Sequence, residues 1–299
     1  MRVICVLLLL GFGHVTVGAA APTLDVYFID VGHGDAMLID CGDWEALIDV
    51  GPDCQTASDR VTKAVRKYVG DRVIEAFVLT HAHADHFGGF ENVMSALQGY
   101  SVAEYWCAAD TGPAGARSEY GAYMAKLGEW FPQAKQVSLR VGANMRTGGL
   151  IWSVLAPAAP NADASENPAI NANSLVLLLQ YGPAVFLFAG DLETPPSVAG
   201  PWAIPSGILV IKAPHHGYEA EALDWIIASL AESQSMRRPA LIVFTTDDCV
   251  PAAATGLPAR EIPYLTTTAS GTICVHVDGM GAWATTDGLA WLRIGLSEP

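Results

Sequence analysis

Apolar and polar residues alternate through Leu24-Asp25-Val26-Tyr27-Phe28-Ile29-Asp30, the two-residue period of a strand that turns one face to a core. Gly32-His33-Gly34-Asp35 reads as a turn into a second apolar run at 36–39, and a third run at 46–49 closes at Gly51-Pro52. These runs predict a meander of short strands. Residues 58–68 switch to helical spacing, with Val61, Val65 and Tyr68 on one face, and 73–79 returns to strand. The same reasoning places helices at 86–97 and 118–130 around a strand at 102–106. The second half repeats that grammar, with strands at 151–155, 174–181, 184–188, 208–211, 240–245 and 272–277 and a helix at 219–231. Pro- and Ala-rich stretches at 156–168 and 194–205 read as loops inside one domain, because candidate ligands lie on both sides of them. Strands and helices mixed through both halves predict an α/β fold, a four-layer αββα sandwich of two mixed sheets flanked by helices. Its ligand-bearing loops are expected along one edge.

The N-terminus departs from this pattern. A basic start (Met1-Arg2), a short apolar core (residues 3–10) and a small-residue end (Gly18-Ala19-Ala20-Ala21) predict a signal peptide over residues 1–20 and a single domain over 21–299. The apolar core is short for a membrane span, and no later stretch reaches the roughly 18 apolar residues a span needs. The expectation is export to a periplasm or the cell exterior, with no stable membrane anchor after cleavage. With 51% hydrophobic and 16% charged residues the chain has material for a filled core. Its net charge of −15 becomes about −16 once Arg2 leaves, and 16 basic against 31 acidic residues leave no stripe to displace counterions from a phosphate backbone. Bulk nucleic-acid binding is therefore not expected, and a small-molecule substrate or a need for solubility explains the charge better. Five cysteines remain beyond the leader. Cys41–Cys54 and Cys249–Cys274 are candidate pairs alongside free thiols, and no Cys-x-x-Cys spacing offers a thiolate zinc site.

The chemistry concentrates in Thr80-His81-Ala82-His83-Ala84-Asp85-His86. Three imidazoles and a carboxylate within six residues exceed what a solvated turn or core packing requires. If the chain leaves its strand extended, His81 and His83 point to the same side and can share one ion. Asp85 and His86, adjacent where the chain turns into a helix, can reach a second. Imidazole with carboxylate suits zinc, manganese or iron better than calcium, and paired ions about 3.5–4 Å apart are suited to hydrolysis. Further donors stand at other strand ends: Asp49, Asp191, His215-His216 and Asn171-Ala172-Asn173. His33 sits in a glycine-flanked turn, where a role at the site and satisfaction by backbone are equally open. His276, on an alternating strand, reads as structural.

The order of these pieces resembles the metallo-β-lactamase superfamily, and within it the competence-protein (ComEC/Rec2-like) hydrolase domains. The resemblance rests on Asp30-Val31-Gly32-His33-Gly34-Asp35-Ala36, Leu47-Ile48-Asp49-Val50-Gly51, Thr80 through Gly89, Asn173-Ser174-Leu175-Val176-Leu177, Ala189-Gly190-Asp191-Leu192-Glu193 and Lys212-Ala213-Pro214-His215-His216-Gly217, spanning about residues 24–278. It implies a metallo-β-lactamase fold and two divalent ions, zinc by preference and manganese as the alternative. His81 and His83 would hold the first ion, Asp85, His86 and one of the 215–216 pair, His216 by preference, the second, with Asp191 bridging. Asp49 would orient a ligand or the reacting water, and His215 would touch substrate or the leaving oxygen; Asp49, Asp85 and His215 are the implied catalytic set. The implied activity is a secreted phosphodiesterase or phosphoesterase in which the ions acidify a water between them. A lactonase or β-lactamase-type hydrolase and a non-catalytic or metal-dependent binding module are the alternatives. Two departures stand out. No histidine occurs between His86 and His215 to give the first ion the third imidazole many relatives supply, and Asn171 and Asn173 occupy that region as first-site or substrate contacts. Thr245 through Pro251 stands where the competence-type pattern carries a histidine segment.

Overall fold

The computed structural model describes residues 23–108, 119–158, 170–196, 202–232, 238–286 and 288–294. The leader expected over 1–20, and much of the loops expected at 156–168 and 194–205, lie outside the described residues.

Two mixed sheets face each other. The first holds strands β1 (Leu24–Phe28), β2 (Met37–Asp40), β3 (Glu45–Ile48), β4 (Val73–Val78), β5 (Ser101–Ala108), β6 (Lys135–Leu139), β14 (Ile273–Asp278), β15 (Gly281–Thr285) and β16 (Leu292–Ile294), in the order β16-β15-β14-β1-β2-β3-β4-β5-β6. The second runs β13 (Tyr264–Thr266), β12 (Leu241–Phe244), β11 (Ile208–Lys212), β10 (Ala184–Phe188), β9 (Val176–Tyr181), β8 (Leu150–Ala156) and β7 (Asn144–Thr147). Each sheet contains a parallel half, β3-β4-β5-β6 and β10-β11-β12-β13. Parallel strands need crossovers, and these carry the helices.

Strand alternation sorts side chains into three apolar layers. Leu24, Val26 and Phe28 of β1 meet Leu177, Leu179, Phe186 and Phe188 of β9 and β10 between the sheets. Tyr27 and the following Ile29 face the opposite way, onto helices α1 (Gln55–Tyr68) and α3 (Phe90–Ala96). Val185, Leu187 and Ile211 on the far face of the second sheet pack against helix α5 (Glu221–Glu232). Both sheets are thus covered on both faces, which is why β10 and β11 are buried along their whole length. Each fully buried Phe or Leu contributes roughly 1.5–3 kcal/mol relative to exposure. Helix α1 buries Ala57, Ser58, Val61, Thr62 and Val65, a single stripe at helical spacing.

The expected helix over 86–97 is instead two, α2 (Ala84–Phe87) and α3. The break falls at Gly88-Gly89, where a Cβ on Gly88 would lie 2.3 Å from the Ala84 carbonyl oxygen and one on Gly89 2.9 Å from those of Val50 and Pro52. This close approach pins the ligand turn to the end of β3. Helix α4 (Glu119–Trp130) follows β5, and the short α6 (Thr267–Ser270) separates β13 from β14, the strand expected at 272–277. All five cysteines of the described residues are free thiols, so neither candidate disulfide forms. No helix among the described residues is long and apolar enough to cross a membrane.

Candidate metal centre

Strand ends and three connections converge at one edge of the sandwich. Asp49 follows β3, the His81–His86 turn follows β4, Asp191 follows β10 and His215-His216 follow β11. The β1–β2 turn adds His33 and Asp35, β12 leads into Thr245, and Asn171 precedes β9. Six of the eight histidines of the chain stand here: His33, His81, His83, His86, His215 and His216. The carboxyl ends of parallel strands make such a crevice because the chain leaves each strand there in diverging directions.

The groups assemble around one oxygen. Asp191 Oδ2 lies 3.1 Å from His86 Nε2, 3.3 Å from His216 Nε2 and 3.6 Å from His81 Nε2, while His81 Nε2 is 3.0 Å from His83 Nδ1. Asp85 Oδ2 stands 3.3 Å from His216 Nε2 and 3.2 Å from His33 Nε2. Two donor groups result, His81-His83-Asp191 and Asp85-His86-Asp191-His216, with the chosen ligand atoms of each within 4.8 Å of one another. Asp191 belongs to both. His215 is more peripheral: its Nε2 is 4.0 Å from Asp191 Oδ2, and its Nδ1 is held on Glu219 Oε2 at 2.6 Å. Asn171 is buried beside it, whereas Asn173 is partly exposed in the turn that follows.

These donors fit divalent ions. The buried His83 Nε2 and Asn171 Oδ1 make no hydrogen bond within the protein, and His216 Nε2 faces only the carboxylates of Asp85 and Asp191. Such orphaned polar atoms are costly in a folded interior, and a cation among them satisfies several at once.

A second layer fixes the ligands. Asp49 Oδ2 lies 2.8 Å from His86 Nδ1, and its carboxylate accepts from Thr80 N at 2.9 Å and Thr80 Oγ1 at 2.6 Å, leaving His86 Nε2 to face Asp191. His216 Nδ1 donates to the Thr245 carbonyl at 2.8 Å. Behind Asp191 lies a fully buried ammonium: Lys212 Nζ is 2.5 Å from Asp35 Oδ2, 3.0 Å from the Gly190 carbonyl and 3.5 Å from Asp191 Oδ1. Asp35 also accepts from Thr245 Oγ1 and lies 3.4 Å from His216 Nδ1. Asp35, Lys212, Thr80 and Thr245 were not singled out from the sequence. The signal for three of them was present, since Thr80 and Lys212 fall inside motifs that contain ligands and Asp35 falls inside the motif that contains His33.

Burial and charge divide the imidazoles into two kinds. Burial holds His81 and His83 below the usual imidazole range, and the neighbouring His86 adds to this at His81. They are neutral donors without a metal. Burial also opposes charge on His86, but the carboxylates of Asp191 and Asp49 outweigh it and push His86 up to about 10. His216 is likewise raised against burial, by Asp191 and Asp35. Burial would raise Asp85, yet hydrogen bonds from His216 and His33 hold it well below the usual carboxylate range.

A profile of the family described as Metallo-beta-lactamase superfamily matches residues 24–231. No curated protein sequence matches the chain. Among solved structures, the chain is similar to the metallo-beta-lactamase fold protein YhfI from Bacillus subtilis, with TM-score 0.52, 10% identity, and 88% of this chain and 99% of that one covered. It is also similar to a diphosphatase from the PhnP family (TM-score 0.49, 16% identity, 85% and 98% covered). A third likeness is to a HARLDQ-motif mutant metallo-beta-lactamase from Cronobacter sakazakii (TM-score 0.43, 16% identity, 79% and 82% covered). At 10% identity the likeness to the first of these is one of fold.

Proposed function

The chain belongs to the metallo-beta-lactamase superfamily, whose profile spans most of its length, and from that premise we propose that it is an exported dinuclear metal-dependent phosphoesterase, most suited to phosphodiesters. The observation that carries the reading is the meeting of two donor groups at Asp191 Oδ2. His81, His83 and Asp191 would hold one ion; Asp85, His86, His216 and Asp191 would hold the other. When bound, two such ions, zinc by preference, supply Lewis acidity to the ester oxygens and lower the pKa of water at the site.

The chain's own residues do the rest. Asp49 keeps His86 in the tautomer whose Nε2 faces the site, and Lys212 occupies the far oxygen of Asp191. His215, at the mouth with Nδ1 anchored on Glu219, is placed to hand a proton to the leaving oxygen. His33 and Tyr218, 3.5 Å apart and both partly exposed, form a wall beside Asp85 where substrate can rest. Within the superfamily the competence-protein type accords with the residues through Asp35, Lys212-Ala213-Pro214-His215-His216 and the asparagines before β9. That kinship supports phosphoesters over β-lactams and lactones. The acidic rim formed by Glu193, Glu219 and Asp247 supports a small substrate rather than a polynucleotide.

The test uses the mature chain. Bound metal is counted by mass spectrometry, and bis-p-nitrophenyl phosphate, p-nitrophenyl phosphate, nitrocefin and a lactone are assayed before chelation, after it, and after zinc or manganese is restored. Chelation-sensitive phosphoester hydrolysis is expected. Fewer than one ion per chain with no restored hydrolysis would overturn the enzyme reading, and preference for nitrocefin or lactone would overturn the substrate class. Export is checked by sequencing the N-terminus of protein recovered outside the cytoplasm, which is expected to begin near Ala21.

A further inference from the structure

We propose that the side-chain oxygen of Asn171 is a ligand of the first metal, completing the His81-His83-Asp191 group, and that this makes the first site looser and less selective for zinc than the second. The inference rests on the dinuclear reading above and adds to it a named donor and an inequality between the sites.

Asn171 is 1% exposed, in the connection that leads into β9. Its amide nitrogen lies 2.6 Å from Glu193 Oε1. A carboxylate only accepts, so this contact fixes which end of the amide is which: the NH2 faces Glu193 and the carbonyl oxygen faces away. That oxygen is buried and makes no hydrogen bond within the protein. The same side chain is within hydrogen-bond reach of His83, whose own buried Nε2 is also without a partner. Two buried polar atoms without hydrogen bonds, on neighbouring side chains beside the three-membered His81-His83-Asp191 group, form the arrangement a cation resolves.

The segment is tied to the metal turn by its backbone. Leu175 N donates to the Thr80 carbonyl at 2.9 Å, and Ser174 N to the Asn171 carbonyl at 2.9 Å, so Asn171 is carried on the same support as His81. Asn173, the other candidate from the sequence, is partly exposed two residues on. The remaining competitor is His215. Its Nδ1 is engaged by Glu219, and its Nε2 is 3.5 Å from the Asn171 amide nitrogen and 4.0 Å from Asp191 Oδ2.

The consequence follows from donor chemistry. The first ion receives two imidazoles, a neutral amide oxygen and a shared carboxylate; the second receives two imidazoles, the shared carboxylate and a second carboxylate, Asp85. An amide oxygen is a harder and weaker donor than imidazole, so it favours zinc less over manganese. The second site also carries more negative charge.

The test is a titration of chelator-stripped protein with zinc against a chromophoric competitor, and with manganese by electron paramagnetic resonance, for the natural chain and for Asn171→Ala. The natural chain is expected to take two ions of unequal affinity. Asn171→Ala is expected to weaken the looser ion by about tenfold or more and leave the tighter one unchanged. Two ions in the natural chain with neither affinity altered in the variant overturns the inference alone; a natural chain that takes fewer than two ions overturns the dinuclear reading, and the inference with it. X-ray absorption at zinc in the two-zinc natural chain decides the matter without any variant. An average of two imidazoles per zinc is expected, and a higher average, which would put His215 in the place given to Asn171, overturns the proposal.

Discussion

Lys212→Met is expected to destabilise the metal-free protein by about 3–5 kcal/mol, the usual loss when one partner of a buried ion pair is removed. Both Lys212 and Asp35 have side chains with no exposed surface, and the ammonium lies 2.5 Å from the carboxylate. At that distance an effective dielectric constant of about 20 gives roughly 7 kcal/mol of attraction, most of it offset by the desolvation of both ions. Removing Lys212 takes away the attraction but leaves Asp35 desolvated, supported by Thr245 Oγ1 and the more distant His216 and His86. Methionine keeps the length and apolar stem of lysine, so little of the loss arises from a cavity. Urea unfolding followed by tryptophan fluorescence measures the difference, and a cycle with Asp35→Asn isolates the coupling between the two residues. Burial disfavours the Lys212 charge, but Asp35 and Asp191 outweigh it and raise the group; its contribution is therefore complete at neutral pH and is lost only as pH climbs through the raised value. Burial would raise Asp35, but Lys212 and His216 lower it, so its contribution is complete above the ordinary carboxylate range and is lost as pH falls through the lowered value. The difference between natural chain and variant should accordingly be flat from about pH 5 to about pH 9. A loss below about 1 kcal/mol, or one that fades within that window, would refute the claim that this is a dry, fully charged pair.

Metal uptake should release protons. His86, pushed up to about 10, and His216, raised above the usual imidazole range, are protonated at pH 7 without metal, so loading the second site is expected to displace about two protons and its affinity to rise with pH; calorimetry in buffers of different ionisation enthalpy counts them, and heats independent of the buffer contradict the assignment. Asp49→Asn replaces the charged two-oxygen acceptor of His86 and Thr80 with a neutral amide that has one acceptor oxygen and is expected to weaken the second ion by about 10–100-fold, read by chelator competition. Gly34→Ala places a Cβ 2.2 Å from the Asp85 carbonyl oxygen at a φ of +132°; a loss of about 2 kcal/mol or more in thermal unfolding is expected, together with a weaker second site, and an unperturbed variant would mean that the β1–β2 turn does not brace Asp85.

How much of this was legible beforehand follows from where each signal lies along the chain. The His81–His86 turn could be read because its four donors are adjacent and chemically improbable as packing. Strands β1, β9 and β10 could be read because each places alternate residues in two different apolar layers. β6, β7, β13, β15 and β16 were not anticipated. They lie at or near the sheet margins, and β7 reads Asn144-Met145-Arg146-Thr147, with no apolar period to mark it; its pairing with β8 makes it a strand. Asp35 and Lys212 escaped notice for a different reason. An aspartate in a glycine-rich turn reads as a turn former and a lysine at a strand end as a solvated charge. Only the packing of the β1–β2 turn beneath the end of β11 brings them within 2.5 Å.

Backbone conformation supplies a further mark of the site that no residue pattern displays. Asp49, His215 and His216 all have positive φ, at 55°, 43° and 54°, although none is glycine; of the described non-glycine residues only Arg72 and Glu261 share that property. A side chain in this region costs of order 1–3 kcal/mol and persists only where surrounding contacts over-determine it. Here they do: Asp49 N donates to the Val78 carbonyl, its carboxylate takes both donors of Thr80, and His215 N donates to the Gly190 carbonyl next to Asp191. Glycine at any of the three would relieve the strain and delete the donor. The strain therefore sits where a polar side chain must leave a strand end at an angle that regular backbone does not allow, and the three residues so held are the one that orients His86, the one at the mouth and the one that meets Asp85 and Asp191. Local conformational preference and the needs of the site disagree at these positions, and the buried hydrogen bonds of Thr80, Val78 and Gly190 resolve the disagreement in favour of the site.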